Sequence, residues 1–294
     1  MKREPLVSVA VVTYNVSKTV IETLESIKAQ TYPYIELVVS DDCSTDGTVD
    51  ICRKWIEANK DRFVRTELVT VEKNTGISAN HNRLEANCRG EWVKPIDSDD
   101  ILLPDCVETF VNYVSDHPDA VYVWSDFEVF GGEEKDREAF YSFYANNTKS
   151  FFKSSIEEQY DFITMVGDCI PPTSSFFNRA AVESLGIRND ERIPFMDDTP
   201  RWINLLKKQV RFHYIDKPTA RYRMSDTSMA RNTPQKFDKS RALLYVHYCF
   251  SNNYRKGDKR IAILQWLRSQ RTIHNNTIVW KVIVKLYKVL FAIN

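Results

Sequence analysis

The 294-residue chain has no Cys-x-x-Cys pair, no surplus of charge of either sign, and a C-terminal apolar tail broken everywhere by lysine. Its six cysteines (Cys43, Cys52, Cys88, Cys106, Cys169, Cys249) stand singly. That spacing argues against a zinc module or a disulfide framework and for small buried thiols in a reducing compartment. Forty basic residues balance forty acidic ones, so no global field draws the chain to nucleic acid and any charge-driven function is local. The opening MKREPLVSVAVVTYN is basic, but its apolar core is too short for a signal peptide and it lacks a small-residue cleavage site. Apolar residues at 43% and charged residues at 27% are ordinary for a soluble globular protein. The expected location is cytoplasmic.

Residues 6–13 form a continuous apolar, β-rich run, as in a strand covered on both faces. Val20, Ile21, Leu24 and Ile27 then recur at helical spacing, with Ser17 as the expected N-cap. IELVVS (35–40), RTELVTVE (65–72) and EWVKPID (91–97) read as further strands, with helices over 49–58 and within 74–90. Strands alternating with helices predict an α/β fold: a mostly parallel, Rossmann-like sheet flanked by helices. Farther on, 120–130 reads as a strand and 131–138 as a solvated turn. The aromatic-rich stretch 140–162 reads as a lid or acceptor-side insertion, 210–216 as a short strand, and the remainder as a helical C-terminal appendage.

KPIDSDDILLP (94–104) crowds Asp97, Asp99 and Asp100 into four residues just before an apolar run. Like charges this close destabilise one another unless a cation or a solvated face relieves them. Both this cluster and Asp41-Asp42 fall at strand carboxyl ends, where sheets of this kind bind ligands. A further pair, Asp197-Asp198, opens a helix with Pro200 in its first turn.

VSVAVVTYN (7–15), IELVVSDDCSTDGT (35–48), the stretch 74–104 and RNDERIPFMDDTPRW (188–202) occur in that order. Together they resemble the family 2 inverting glycosyltransferases, which have the glycosyltransferase A fold. The resemblance covers about the first 230 residues. It implies a catalytic domain over 1–230 and a helical region over 231–294. It also implies a nucleoside diphosphate sugar donor, most simply a UDP-sugar, a glycan or lipid-linked acceptor, and a Mn²⁺ or Mg²⁺ cofactor.

The resemblance also implies roles for single residues. Thr13, Tyr14 and Asn15 lie against the nucleotide base or ribose. Asp42, beside Asp41, accepts from a ring N–H of the base, and a helix capped by Ser44 or Thr45 would leave both acids free. Asp99 is the first choice as metal ligand. Asp97 reaches the ion, its water or the ribose, since alternation along an extended segment sends residues two apart to one face. Asn82 and Arg223 are donor contacts. Asp198, or failing it Asp197, takes the proton from the acceptor hydroxyl as the new bond forms.

Three departures stand out. His81 occupies the place where the family often has Arg, and Met224 and Ser225 stand where relatives often carry His. Arg201-Trp202 is similar to the Arg-Trp of processive synthases, but Asp198, not Gln, stands three residues before the arginine.

In the tail, Lys281, Lys285 and Lys288 share one helical face and apolar residues cover the rest. That pattern suits either a helix lying on an anionic membrane surface or a packed helix, at a homodimer contact for example. Two rivals remain at this point. A nucleotidyltransferase would need a Gly-rich loop where VVTYNVSKT has no glycine. A non-catalytic nucleotide-sugar-binding protein would have no need of Asp198.

Overall fold

The computed structural model describes residues 4–167, 172–225, 234–274 and 278–290. Cys169, the expected domain boundary near residue 230, and residues 277 and 291–294 of the tail lie outside them.

Strands β1 (Val7–Thr13) and β2 (Ile35–Asp41) are buried at every position, as their unbroken apolar sequences require. Between them α1 (Val20–Lys28) turns Val20, Leu24 and Ile27 onto the sheet. Each such side chain contributes about 1.5–3 kcal/mol by leaving water. The order continues α2 (Thr48–Asn59), β3 (Arg65–Thr70), α3 (Ile77–Asn87), β4 (Trp92–Asp97), β5 (Ile101–Leu102) and α4 (Cys106–Asp116). Then come β6 (Tyr122–Gly131), α5 (Glu134–Lys153), α6 (Ile156–Met165), β7 (Ser175–Asn178) and α7 (Arg179–Ser184). The sheet domain closes with α8 (Asp198–Lys207) and β8 (Phe212–Met224).

The strands form one eight-stranded sheet in the order β3-β2-β1-β4-β7-β6-β8-β5. β1 pairs parallel with both β2 and β4, so strand order reverses at β1 and a crevice opens at its carboxyl end. In that register Thr13 lies beside Asp41 and Val12 beside Asp97, which brings the two acidic stretches to the same crevice.

Four expectations need correction. Ser17 does not cap α1: the N-cap is Thr19, and the Ser17 backbone N–H donates to Asp46 Oδ2 at 3.0 Å. The solvated turn and irregular insertion are instead the helix α5, continued by α6. Its aromatics fall at multiples of four: Phe140 stacks on Tyr222, Tyr144 meets Phe127, and Phe152 stacks on Tyr214. One helical face therefore docks on β6 and β8. The short strand at 210–216 runs on to Met224, because β8 keeps its pairing with β6 through register shifts that skip Asp216, Lys217 and Thr219 on either side of the Asp126–Pro218 pair.

Beyond the sheet, α9 (Pro234–Leu244), a π-helical turn (Tyr245–Cys249) and α10 (Phe250–Lys256) pack back on the domain through Leu244 and Cys249. Asn252 Nδ2 donates to Asp161 and Thr164 of α6, both at 2.9 Å. The last helices, α11 (Lys259–Ile273) and α12 (Ile278–Leu290), enclose a small separate core of Leu264, Leu267 and Val284.

Candidate active site

The β1 carboxyl end holds Thr13, buried, with its hydroxyl donating to Asp41 Oδ2 at 2.8 Å. Tyr14 follows on the rim at 45% exposed. Asn15 adopts a left-handed φ of 54°, and its Oδ1 accepts from the Thr45 N–H at 2.8 Å. Asparagine tolerates that conformation better than most residues.

Asp41 and Asp42 both shape loops. Asp41 accepts from the N–H and hydroxyl of Ser44 at 2.8 and 2.6 Å. Asp42 accepts from the Thr75 hydroxyl at 2.5 Å, the Gly76 N–H at 2.8 Å and Arg83 Nη2 at 3.1 Å. Its lone pairs are thus taken by the loop that leads into α3. Gly76, with φ 91° and ψ 159°, supplies a backbone turn that other residues resist. Neither Ser44 nor Thr45 caps α2; Asp46 Oδ1 accepts from the Thr48 N–H at 3.1 Å instead.

The acidic cluster is not extended. β4 stops at Asp97 and the chain turns, with the Asp100 N–H donating to the Asp97 carbonyl at 3.1 Å. The turn, rather than strand alternation, brings the acids together. Burial pushes Asp97 up to about 6, and the charges of Asp99 and Asp197 add to the push. Burial also raises Asp99, and it raises Asp100 well above the ordinary range together with Asp99 and Asp97. Asp100 Oδ1 accepts from the Arg223 N–H at 2.8 Å. Arg223 Nε donates to the Asp99 carbonyl at 2.7 Å, and its guanidinium lies 4.4 Å from the centre of the Phe130 ring.

Asp197 and Asp198 stand at the start of α8. Burial raises Asp197 to about 6, and burial with the Asp197 charge raises Asp198 to about 7. Asp97, Asp197 and Asp198 line one pocket with about 70 Å³ of open space, together with His81, Glu85, Arg201 and Trp202. Of the acidic cluster only Asp97 meets the α8 pair there; Asp99, Asp100, Arg223 and the β1- and β2-end residues Thr13, Tyr14, Asn15, Asp41 and Asp42 do not line this pocket.

Asn82 does not line that pocket. Its amide donates to the Asn189 carbonyl at 3.0 Å and to Glu191 at 2.9 Å, and its Oδ1 accepts from the Asn189 N–H at 3.0 Å. It pins the segment that leads to α8. Sequence alone assigns no site role to Glu85 or Arg201 and leaves His81 open between a phosphate or ribose contact and an exposed helical residue; the structure holds it largely buried. A signal for two of them was there: Ile77, His81 and Glu85 are spaced by four on α3, and all three reach the pocket. Arg201 is buried, paired with Glu85, and its guanidinium lies 4.4 Å from the centre of the Phe177 ring. Among the described residues its Nε and Nη2 have no partner.

The family model for glycosyl transferase family 2 matches residues 8–186. The Bacillus subtilis protein TuaG, named as a teichuronic acid biosynthesis glycosyltransferase, is 24% identical over 229 residues, 78% of this chain and 83% of that protein. Escherichia coli chondroitin synthase is 38% identical over 109 residues, 37% of this chain but 15% of that much longer protein. Staphylococcus aureus TarS 1–349 in complex with UDP-GlcNAc superposes with TM-score 0.61 at 20% identity, over 90% of this chain and 79% of that one. The Pyrobaculum calidifontis mannosyltransferase PcManGT, in complex with GDP-Man and Mn²⁺, gives 0.59 at 18% identity over 98% and 81%. The alternating sheet, the crevice at its reversal point and the converging acids thus fit one family. The chain belongs to glycosyl transferase family 2 and is a glycosyltransferase of the glycosyltransferase A fold.

Proposed function

We propose that this chain is an inverting, metal-dependent transferase that moves a sugar from a UDP-sugar to a hydroxyl of a glycan or lipid-linked acceptor in surface polysaccharide synthesis. The observation that carries this reading is the meeting of Asp97, at the end of β4, with the α8 acid pair in one pocket. The polymer-related names of TuaG and chondroitin synthase support the substrate class, and the UDP-GlcNAc complex of TarS supports the donor.

A divalent ion fits the β4 turn. The Asp99 charge raises the proton affinity of both Asp97 and Asp100, and Asp100 Oδ2 has no partner among the described residues. Among those residues no three ligating side chains form a closed cage. Mg²⁺ and Mn²⁺ usually take one or two carboxylates and complete their shell with phosphate oxygens and water. Asp99, with Asp97, would hold the ion, which when bound supplies charge to offset the departing diphosphate. Arg223, anchored beside Asp99 and paired with Glu22 at 2.6 Å, places a guanidinium on the same side. Tyr14 offers the exposed ring for the base, and Thr13, Asn15, Asp41 and Asp42 hold the loops around it. Asn82 serves the donor site through the segment it pins.

Asp198 acts as the base. A sugar hydroxyl is too weak an acid to ionise beforehand, so the carboxylate takes its proton as the bond to the anomeric carbon forms. A base with a pKa of about 7 is well matched to neutral pH. Asp197 keeps that pKa high through its charge.

No described helix is long and apolar enough to cross a membrane. We assign α12 instead to the surface of an anionic membrane, where a lipid-linked acceptor would be found.

The test is release of UDP from a panel of UDP-sugars, with Mn²⁺ or with chelator. Metal-dependent release that falls by about 10²–10⁴ in Asp198→Asn, with donor still bound, is the expected result. Donor binding without turnover under any acceptor would leave a binding protein in place of an enzyme.

A further inference from the structure

The outer side of β8 is unpaired along its amino half, because β5, the last strand of the sheet, meets only Ala220 and Arg221. Between that edge and helices α4 and α5 opens a cavity of about 300 Å³, against about 70 Å³ in the pocket of Asp97 and Asp198. The two share no lining residue. Small-molecule sites begin at about this size. The floor is aromatic: Tyr113 of α4, Phe152 of α5, and Phe212 and Tyr214 of β8. Phe152 and Tyr214 stack with ring centres 4.8 Å apart, and Tyr113 Oη lies 3.2 Å from His213 Nδ1.

The charged lining is one-sided. Lys149 and Asp216 cancel at 2.8 Å, which leaves Lys153 and Arg211. Both are exposed, and neither forms an ion pair among the described residues. Burial lowers the pKa of His213, so it adds no charge at neutral pH, and Asp119, 3.8 Å from its Nε2, lies outside the lining. In a chain whose charges sum to zero, the cavity carries a local positive surplus. Lysines along a sheet edge also guard it against pairing with another chain, but that duty needs neither a cavity nor an aromatic floor. The two features together restrict the ligand. An inorganic anion would use the cations alone, and a neutral glycan would use the rings alone. A sugar ring with a negative group uses both, its C–H face on the aromatics and its charge on Lys153 and Arg211.

We propose that this cavity is a second glycan site, which holds an acidic saccharide apart from the place where the new bond forms. This rests on the reading that the acceptor is a glycan.

Hyaluronan hexasaccharide and chitohexaose share N-acetylglucosamine, but only the first carries carboxylates. Binding of both, of inorganic phosphate and of UDP is measured by calorimetry, with UDP release from UDP-sugars in parallel. Wild type is compared with the double variant Lys153→Ala, Arg211→Ala. Both residues are exposed and outside the pocket of Asp97 and Asp198, so UDP affinity should be unchanged and reports that the variant is folded. The hyaluronan fragment is expected to bind about tenfold more tightly than chitohexaose, to lose about tenfold in the variant, and to weaken as salt rises. Equal binding of the two hexasaccharides, or hyaluronan binding that survives both substitutions, would overturn the site. Phosphate bound as tightly as the hexasaccharide would reduce it to a plain anion site, and a second equivalent of UDP that is lost in the variant would make it a nucleotide site. Donor turnover with no hexasaccharide bound would overturn this inference alone. Hexasaccharide bound with no donor bound or turned over would instead overturn the proposed donor.

Discussion

His81 on α3 and Asp197 at the head of α8 face each other across the pocket, with Nε2 3.3 Å from Oδ2. Burial lowers the histidine's pKa, assisted by Arg201, while Asp97 and Glu85 oppose the change. A neutral imidazole placed here orients Asp197 by hydrogen bonding, and Asp197 in turn sets the field on Asp198. Where the family often carries a permanent cation, this chain carries a group that adds no fixed charge. His81→Ala should lower kcat/KM by about 10²-fold through misplacement of the α8 acids, with little change in Tm. Steady-state kinetics beside a thermal melt decides this, and unchanged kinetics would remove His81 from the site.

The pH dependence follows from Asp198. Burial and then the Asp197 charge put its pKa at about 7, and only the ionised form accepts a proton. The logarithm of kcat/KM should rise with unit slope up to about pH 7 and flatten above it. Asp197→Asn removes a neighbouring negative charge, so the midpoint should move down. The sign for stability is opposite to that for activity. A carboxylate whose folded pKa exceeds its unfolded one stabilises the fold at low pH, and that contribution is lost as pH rises through about 7. Asp198→Asn should therefore melt higher than wild type at pH 8, by a margin that narrows as pH falls and closes only below about pH 4, the unfolded pKa. A pH–rate profile with no inflection near neutrality would count against Asp198 as base.

Metal should be felt by the fold as well as by the rate. The acids of the β4 turn repel one another, so a cation held there with UDP should raise Tm by preferential binding to the folded state. Differential scanning fluorimetry with Mn²⁺ and UDP, together and singly, should show the largest shift for the pair. Chelator should abolish it, and Asp99→Asn should lose most of it. An equal shift in Asp99→Asn would move the ion elsewhere.

The sequence revealed some parts of this site and hid others, for physical reasons. β1 and β2 were legible because strands buried on both faces need unbroken apolar runs, and the acids after them were legible because charge at a strand end is costly. The turn at Asp97–Asp100 was not: a run of polar residues fits an extended segment or a turn equally well, and only the pairing of β5 with β8 fixes the choice. α5 was hidden because its aromatics, sparse among polar residues, gain their meaning from partners on β6 and β8. Arg201 was passed over for a missing glutamine, although its pairing with Glu85 spans 116 residues that no local pattern reports.

A test of the scaffold lies at the amino end of the sheet. Glu36 is fully buried in β2, and burial alone would raise its pKa. Hydrogen bonds from Ser8, the Arg89 and Gly90 N–H groups and Arg65 overcome that and hold it below the ordinary value. Its contribution to stability is thus present above the unfolded pKa and lost as pH falls through the folded one. Gly90 fits because a Cβ there would lie 2.5 Å from the Ser8 nitrogen and 2.8 Å from the Trp92 carbonyl oxygen. Gly90→Ala should cost about 1–3 kcal/mol. Glu36→Ala, which leaves Arg65 without its buried partner, should cost about 3–5 kcal/mol. Urea denaturation at pH 7 measures both, and a neutral result for Glu36→Ala would mean water fills the gap.

The tail gives the last prediction. Trp280, Val284 and Tyr287 turn toward α11, which leaves Val279, Val282, Leu286 and Leu290 as an exposed apolar stripe along α12. Lys281, Lys285 and Lys288 run along another face of the helix. No carboxylate occurs between residues 278 and 290, so a second copy of the same face would bring lysines and no counter-charge. An anionic bilayer supplies both an apolar layer and negative headgroups, with each lysine near such a surface contributing about 1 kcal/mol. The protein should co-sediment with vesicles containing phosphatidylglycerol and much less with phosphatidylcholine alone. Leu286→Asp should abolish that binding, while Lys281→Gln with Lys285→Gln should weaken it and reduce its salt dependence. Leu286 and both lysines are exposed and remote from the pocket, so UDP binding should survive in these variants. If vesicles fail to bind and Leu286→Asp instead turns a dimer into a monomer by sedimentation velocity, the stripe is an interface between two copies and the membrane assignment falls.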